Sequence, residues 1–300
     1  MKHSHDTAPA SAVAATRLSV DSVGYLVDRH GDGRVHSAFR NACNVVFGDV
    51  IATVVTAGAG DGPTLLRLEY SSTVDLRAHF HPGERCVLEC GLARFRHTIV
   101  DWSQARTWRA PVARPRLDDA HIRGNVALAR SSEAICRAQR PSIIATLAQP
   151  VVRELEEAAR HCDAAAAMPH LARLIGWGEG LTPAGDDFIV GWLAGLRALA
   201  GSAMRRAAFI ERIGDRIRAG LDATTTLSAH MLRLASGGHF VDHLHALRAE
   251  LLGAPSASSL LDALDRALAV GASSGADTVS GLLSAFDAWL VHPSQQSRPS

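Results

Sequence analysis

No stretch of this chain approaches the roughly 20 consecutive apolar residues of a membrane-spanning helix, although 47% of its 300 residues are hydrophobic. A membrane role is therefore not expected. No charge of one sign dominates either: 31 basic side chains stand against 30 acidic ones, a net charge of +1. Nucleic-acid binders usually carry a clustered basic surface, so nucleic acid is not an expected partner. The five cysteines are odd in number and lack the paired spacing of a disulfide framework, which points to a reducing cytoplasm. Residues 1–16 contain no leucine-rich core of a signal peptide and read as a disordered leader.

Familiar catalytic signatures are missing too. No Gly-Lys-Ser/Thr follows a glycine loop, and the glycine spacing does not fit a dinucleotide fingerprint. His79 and His81 precede Cys86 and Cys90, but the spacing matches no standard zinc pattern. His239 and His243 are four apart with Asp242 between them. The His-Glu-x-x-His order is absent, so a solvated or capping role is expected. Cys43 has no identifiable base near it in sequence and reads as a buried structural thiol.

What the chain does have is concentrated in residues 176–191, Gly-Trp-Gly-Glu-Gly-Leu-Thr-Pro-Ala-Gly-Asp-Asp-Phe-Ile-Val-Gly. Gly176, Gly178 and Gly180 leave the backbone free to take positive φ. Thr182 is a natural N-cap, and Pro183 suits a first helical turn. Phe188, Ile189, Trp192, Leu193, Leu196 and Leu199 then fall on one helical face. Such a bare loop at a helix start offers N–H groups to an anion. Asp186 and Asp187 make sense there if a cation such as Mg²⁺, or the N–H groups of a substrate, are held as well. Structural turns and a dipole contribution of about 0.3–1 kcal/mol from a first-turn Asp are the plain alternative. Gly191 and Gly195 would let another backbone approach this helix closely.

The chain changes character near residue 115. Before it, β-branched runs (Val20–Asp28, Val45–Phe47, Val50–Thr56, Leu65–Tyr70, Cys86–Cys90 and Phe95–Val100) alternate with turn signals such as His30-Gly-Asp-Gly33. An antiparallel sheet or small barrel is expected over residues 17–115, with a linker at Arg109–Pro115. Residues 116–292 read as helix after helix: Ala120–Arg140, Ile143–Cys162, Asp186–Ala200, Arg205–Ala235 with glycine interruptions at 214 and 220, Phe240–Leu252, Ser258–Leu268 and Asp277–Leu290. Residues 293–300 read as a disordered tail. The fold class is α+β, an antiparallel β-rich domain followed by a mainly α-helical one.

Within the second part, residues 180–191 are echoed at 271–281, Gly-Ala-Ser-Ser-Gly-Ala-Asp-Thr-Val-Ser-Gly. Each has a glycine, a hydroxyl residue, a second glycine and then Asp-x-x-x-Gly opening an apolar-faced helix. Two such loops would face one another across a single site. Between them, Thr225, Thr226 and Ser228 supply more hydroxyls than helix capping alone requires, ahead of a glycine stop at 237 or 238.

At these segments the chain resembles the AllH-type subunit family of oxamate carbamoyltransferase. The family pattern of a Gly-x-Gly-x-Gly-Leu-Thr-Pro-Ser-Gly-Asp-Asp-Phe loop, a Thr-x-x-Ser-x-x-x-Leu helix and a Ser-Ser-Gly-x-Asp loop stands here at Gly176–Phe188, Thr225–Leu232 and Ser273–Asp277. The stretch Val35–Asn44 is similar to the family's segment around an asparagine. Glu179 replaces a frequent proline and Ala184 a frequent serine, which leaves anion contact to backbone groups and Thr182.

The resemblance implies a cytoplasmic, multisubunit transferase of purine (allantoin) breakdown. It would move a carbamoyl group between oxalurate and phosphate, giving oxamate and carbamoyl phosphate. Asp186, Asp187 and Thr182 are then the catalytic candidates. Gly178, Gly180, Gly185, Asn44, Thr225, Thr226, Ser228, Ser273, Ser274, Gly275 and Asp277 are the substrate-binding ones. The partners would be a small anionic substrate and companion protein subunits. No nucleophile stands out, and none is required if phosphate attacks the carbamoyl carbon directly. A non-catalytic anion-binding or scaffolding subunit is the alternative.

Overall fold

The computed structural model describes residues 16–27, 30–69, 74–111, 117–139, 144 and 148–290. The leader apart from Thr16, the linker from residue 112 onward and the tail at 293–300 lie outside the described residues. The backbone divides into two compact units, Met1–Trp108 and Arg109–Ser300.

The first unit contains β1 (Thr16–Gly24), β2 (Gly31–Ala38), β3 (Ala42–Phe47), β4 (Val50–Val55), β5 (Leu65–Leu68), β6 (Arg85–Glu89), β7 (Leu92–Arg94), β8 (Thr98–Asp101) and β9 (Arg106–Trp108). Alternation decides which faces are buried: in β6, Cys86 and Leu88 point inward while Arg85, Val87 and Glu89 face water. The strands run in the order β5-β4-β3-β2-β6-β7-β8-β1, and β1 pairs back to β5, closing an eight-stranded barrel with β9 added at β1.

The expected antiparallel sheet is thereby corrected to a closed barrel of mixed direction. β1 runs parallel to β8 through residues 16–19 and parallel to β9 through residues 22–24, and β4 runs parallel to β5. Parallel neighbours are joined by long-range pairing that strand periodicity does not encode. The stretch read as a turn at Gly31–Gly33 is the start of β2, where Gly33 lies against the Phe47 ring with no room for a Cβ. The barrel interior is filled by one apolar cluster that includes Val35, Val45, Val54, Leu66, Leu68, Leu76, Phe80 and Leu88.

Among the described residues the second unit contains nine α-helices: α1 (Asp119–Gln139), α2 (Gln149–His161), α3 (Ala164–Leu174), α4 (Ala184–Leu199), α5 (Met204–Ala219), α6 (Thr226–Ser236), α7 (Asp242–Leu252), α8 (Ala257–Leu268) and α9 (Ser274–Trp289). The stretch Arg205–Ala235, whose glycines allowed for two helices, is two: the first runs through Gly214 to Ala219 with Gly220 as its C-cap, and the second begins at Thr226. Helix α3 was not foreseen. Its N-cap Asp163 accepts the Ala166 N–H at 3.0 Å, and Pro169 sits inside it.

Helices α4 and α9 form the centre of this unit and are buried along almost their whole length. They run in the same direction and share the most extensive helix–helix contact. Glycines make that approach possible, as expected of Gly191 and Gly195. A Cβ on Gly191 would stand 1.8 Å from the Thr278 carbonyl oxygen, and one on Gly281 would stand 2.0 Å from the Phe188 carbonyl oxygen. The pairs 188/278 and 191/281 are each ninety residues apart, so the contact is reciprocal. The echo between the two segments is a structural repeat about a local two-fold.

Candidate functional site

The repeat places two loop-to-helix junctions side by side. In the first, Gly176, Gly178 and Gly180 have φ of +73°, +116° and +91°, the left-handed region that favours glycine. Gly176 is also fixed by space, because a Cβ there would meet the Ala223 carbonyl oxygen at 2.2 Å. A Cβ on Gly185 would meet the last carbonyl of α3, Leu174 O, at 2.0 Å. Its repeat mate Gly275 sits against the end of α8 in the same way, 2.3 Å from Ala267 O. Each glycine thus lets a helix start against the end of the helix before it.

The two loops meet through side chains. Thr182 Oγ1 and Ser274 Oγ share a hydrogen bond of 2.9 Å. This corrects the N-cap role expected of Thr182. Pro183 occupies the cap position with no side-chain cap, and the threonine hydroxyl turns to the opposite loop instead. Ser273 is the N-cap residue of α9, also without a side-chain cap bond.

The two acids of the first loop have different surroundings. Asp186 accepts the Gly176 N–H at 2.9 Å and the hydroxyls of Thr224 and Ser228. Burial pushes its carboxyl above the ordinary range, and these donors pull it part of the way back. Asp186 is the post that ties the glycine loop to the start of α6.

Asp187 is 3% exposed and faces the second loop. Burial pushes its carboxyl up to about 8, bonds from Ser274 and Thr182 oppose that, and the charge of Asp277 adds to it. The positive ends of two parallel helices favour the carboxylate, yet desolvation outweighs them. Asp187 Oδ2 is buried and meets no hydrogen-bond partner among the described residues. Asp277, its mate in the repeat, is fully buried on the first turn of α9.

The other expected residues distribute as follows. Thr225 is the N-cap of α6, accepting the Ser228 N–H at 3.1 Å, and its hydroxyl donates to Leu181 O at 2.5 Å. It thereby links the start of α6 to the glycine loop. Thr226 is exposed on the first turn of α6, and Ser228 is buried against Asp186. Thr224, beside the two expected threonines, also donates its hydroxyl to Asp186, as Ser228 does. Its signal was the three-threonine run itself. Asn44 belongs to the barrel unit. Its amide donates to Ser37 Oγ at 2.9 Å and accepts from Thr53 Oγ1 at 2.8 Å, across adjacent strands.

Among the described residues no three His, Cys, Asp or Glu side chains converge as a metal-binding group. Cys43 and Cys86 are buried thiols, each pushed up to about 12 chiefly by burial, so neither is a nucleophile at neutral pH. His239 precedes α7 rather than lying on it, so His239 and His243 do not share one helix face. No helix of the described residues is long and apolar enough to cross a membrane.

A family model described as oxamate carbamoyltransferase subunit AllH matches residues 174–286, from the end of α3 to α9. A model of the AllH family N-terminal domain matches residues 12–107, the barrel unit. No curated protein and no solved structure matches the chain.

Proposed function

Because the chain belongs to the AllH family, described as that of an oxamate carbamoyltransferase subunit, we propose that its paired loops hold the carbamoyl group during transfer between oxalurate and phosphate. The work would be done together with companion subunits. The observation that carries this reading is Asp187, a buried carboxyl raised to about 8, with one oxygen unpartnered among the described residues.

At neutral pH that carboxyl is mostly protonated and near the optimum for a general acid. A phosphate oxygen attacks the carbamoyl carbon of oxalurate, and the bond from that carbon to the inner nitrogen breaks. The Asp187 proton passes to the departing oxamate nitrogen, and the proton released by the attacking phosphate restores Asp187. Thr182 and Ser274 orient the carboxyl. The starts of α4 and α9, with the backbone of Gly178 and Gly180, favour the negative charge that develops on the carbamoyl oxygen, whereas the Gly185 and Gly275 N–H groups are given to the carbonyls of Trp177 and Val270 and serve only the close packing of the two junctions. Asp186 holds the loop, and burial, with the charge of Asp277 adding to it, keeps Asp187 protonated.

The test is reconstitution with the companion subunits, following carbamoyl phosphate formed from oxalurate and phosphate. Asp187→Asn is expected to cut the rate by about 10²–10⁴, the usual share of general acid–base catalysis. Thr182→Val is expected to cut it less. Wild-type rates in both variants would remove the site. If the Asp187→Asn complex turns over normally while the chain binds oxamate, it is an accessory anion-binding subunit.

A further inference from the structure

The turn after α6 brings together two arginines that the candidate site does not use. Arg197 comes from the last turn of α4, ten residues beyond Asp187, a rise of about 15 Å along the helix. Its Nη2 donates to Ser236 O at 2.5 Å, and its nearest carboxylate is the largely exposed Glu211 at 3.6 Å. Arg248 comes from α7 and lies over the Phe240 ring, with its Cζ 5.4 Å from the ring centroid. Among the described residues no carboxylate is within ion-pair distance of Arg248. The Nε atoms of both arginines are buried and meet no acceptor among the described residues.

The turn between them carries no side chain at 237 and 238, and its N–H groups are given to the carbonyls of Arg233, Leu234 and Ala235, so it offers room and the arginines offer the donors. Gly238 has φ of +83°, and a Cβ there would stand 3.5 Å from Arg197 Nε and Cζ. The space beside the guanidinium is therefore space that a side chain would have narrowed. Apart from the largely exposed Glu211 beside Arg197, the surrounding titratable groups do not neutralise the pair. Burial holds the imidazoles of His243 and His245 down at about 4 and lowers His239 too, so all three are neutral at pH 7. Burial and the nearby charge of Arg197 bring Arg248 down to about 10, so it still carries its charge. Two cations held together with their inner N–H groups dry and unmatched are costly unless an anion joins them.

We propose that Arg197, Arg248 and the Gly237–Gly238 turn form a second anion site in the helical unit, which takes the phosphate group of a small molecule. Guanidinium forks match phosphate oxygens in pairs, and two forks suit a doubly charged oxyanion better than a carboxylate. The site is separate from the paired loops, and its existence does not rest on the carbamoyl-transfer reading.

The experiment is a titration of the full chain with inorganic phosphate, following the arginine Nε–H resonances by NMR, with sodium chloride at matched ionic strength as control. The Arg197 and Arg248 signals are expected to shift together and to saturate with phosphate, while chloride leaves them in place. The shifts are expected to survive Asp187→Asn, which separates this site from the loops. Arg248→Met keeps the stem over Phe240 and is expected to weaken the binding that moves the Arg197 signal by about tenfold or more, as loss of a charged hydrogen bond does. Signals that stay still in wild type, or that move equally with chloride, overturn the proposal. So does a phosphate affinity unchanged by Arg248→Met.

Discussion

Asp187 is a carboxyl whose folded environment works against its own charge. Its pKa of about 8 lies above the ordinary 3.8, so between those values the folded chain holds a proton that the unfolded chain has released. The stabilisation this proton brings is complete below the lower value. It is lost as pH rises through the upper one. Asparagine has no such proton to lose. The melting temperature of Asp187→Asn relative to wild type should therefore climb between about pH 5 and about pH 9. A difference that stays flat across that range would show that the carboxyl is not raised. Asn44 makes a contrasting case, because its amide bridges Ser37 and Thr53. Asn44→Ala should cost about 1–3 kcal/mol of barrel stability through the partners left unmatched, read by thermal unfolding. At this scale the sequence showed which residue types gather, since loop glycines, hydroxyls and acids are dense in it. It did not show which acid faces inward. Adjacent carboxylates are separated by about 100° around a helix, and only the packing of α9 assigns Asp187 to the shared face and Asp186 to the loop.

At the level of elements, the informative contact is that between α4 and α9. Gly191→Ala would place a methyl 1.8 Å from a carbonyl oxygen of the neighbouring helix, and main chain cannot rotate out of the way. The helices must part, and the loss should reach or exceed the ~1–3 kcal/mol typical of overpacking. Gly124→Ala, with nothing within 4 Å of the new methyl, should by contrast be stable or slightly stabilised through helix propensity. Chemical denaturation of the two variants side by side checks both statements. This pairing was legible in outline, because the Gly-x-x-x-Gly spacing at 191 and 195 and the repeat at 271–281 can be read without coordinates. Helix α3 was not. Half of its buried stripe of Ala164, Ala167, Leu171 and Leu174 is alanine, and Pro169 within it reads locally as a break.

Over the whole molecule, the apolar residues form two separate clusters, one confined to the barrel and one to the helices. Each unit should therefore fold from its own core. Fragments covering residues 16–111 and 117–290 should each melt cooperatively by circular dichroism, and a non-cooperative helical fragment would refute this. The division into a β-rich part and a helical part follows from composition, but barrel closure does not. It depends on β1 meeting β5 on one edge and β8 and β9 on the other, and no local pattern records such distant partners. The reciprocal glycine contacts have one more consequence, for how far this chain can drift. At most packed positions an enlarged residue can be accommodated by a smaller one opposite. At 191 and 281 the facing atom is a carbonyl oxygen, which every residue possesses. No second substitution can shrink it, so exhaustive mutagenesis should find these positions without a suppressor on the opposite helix.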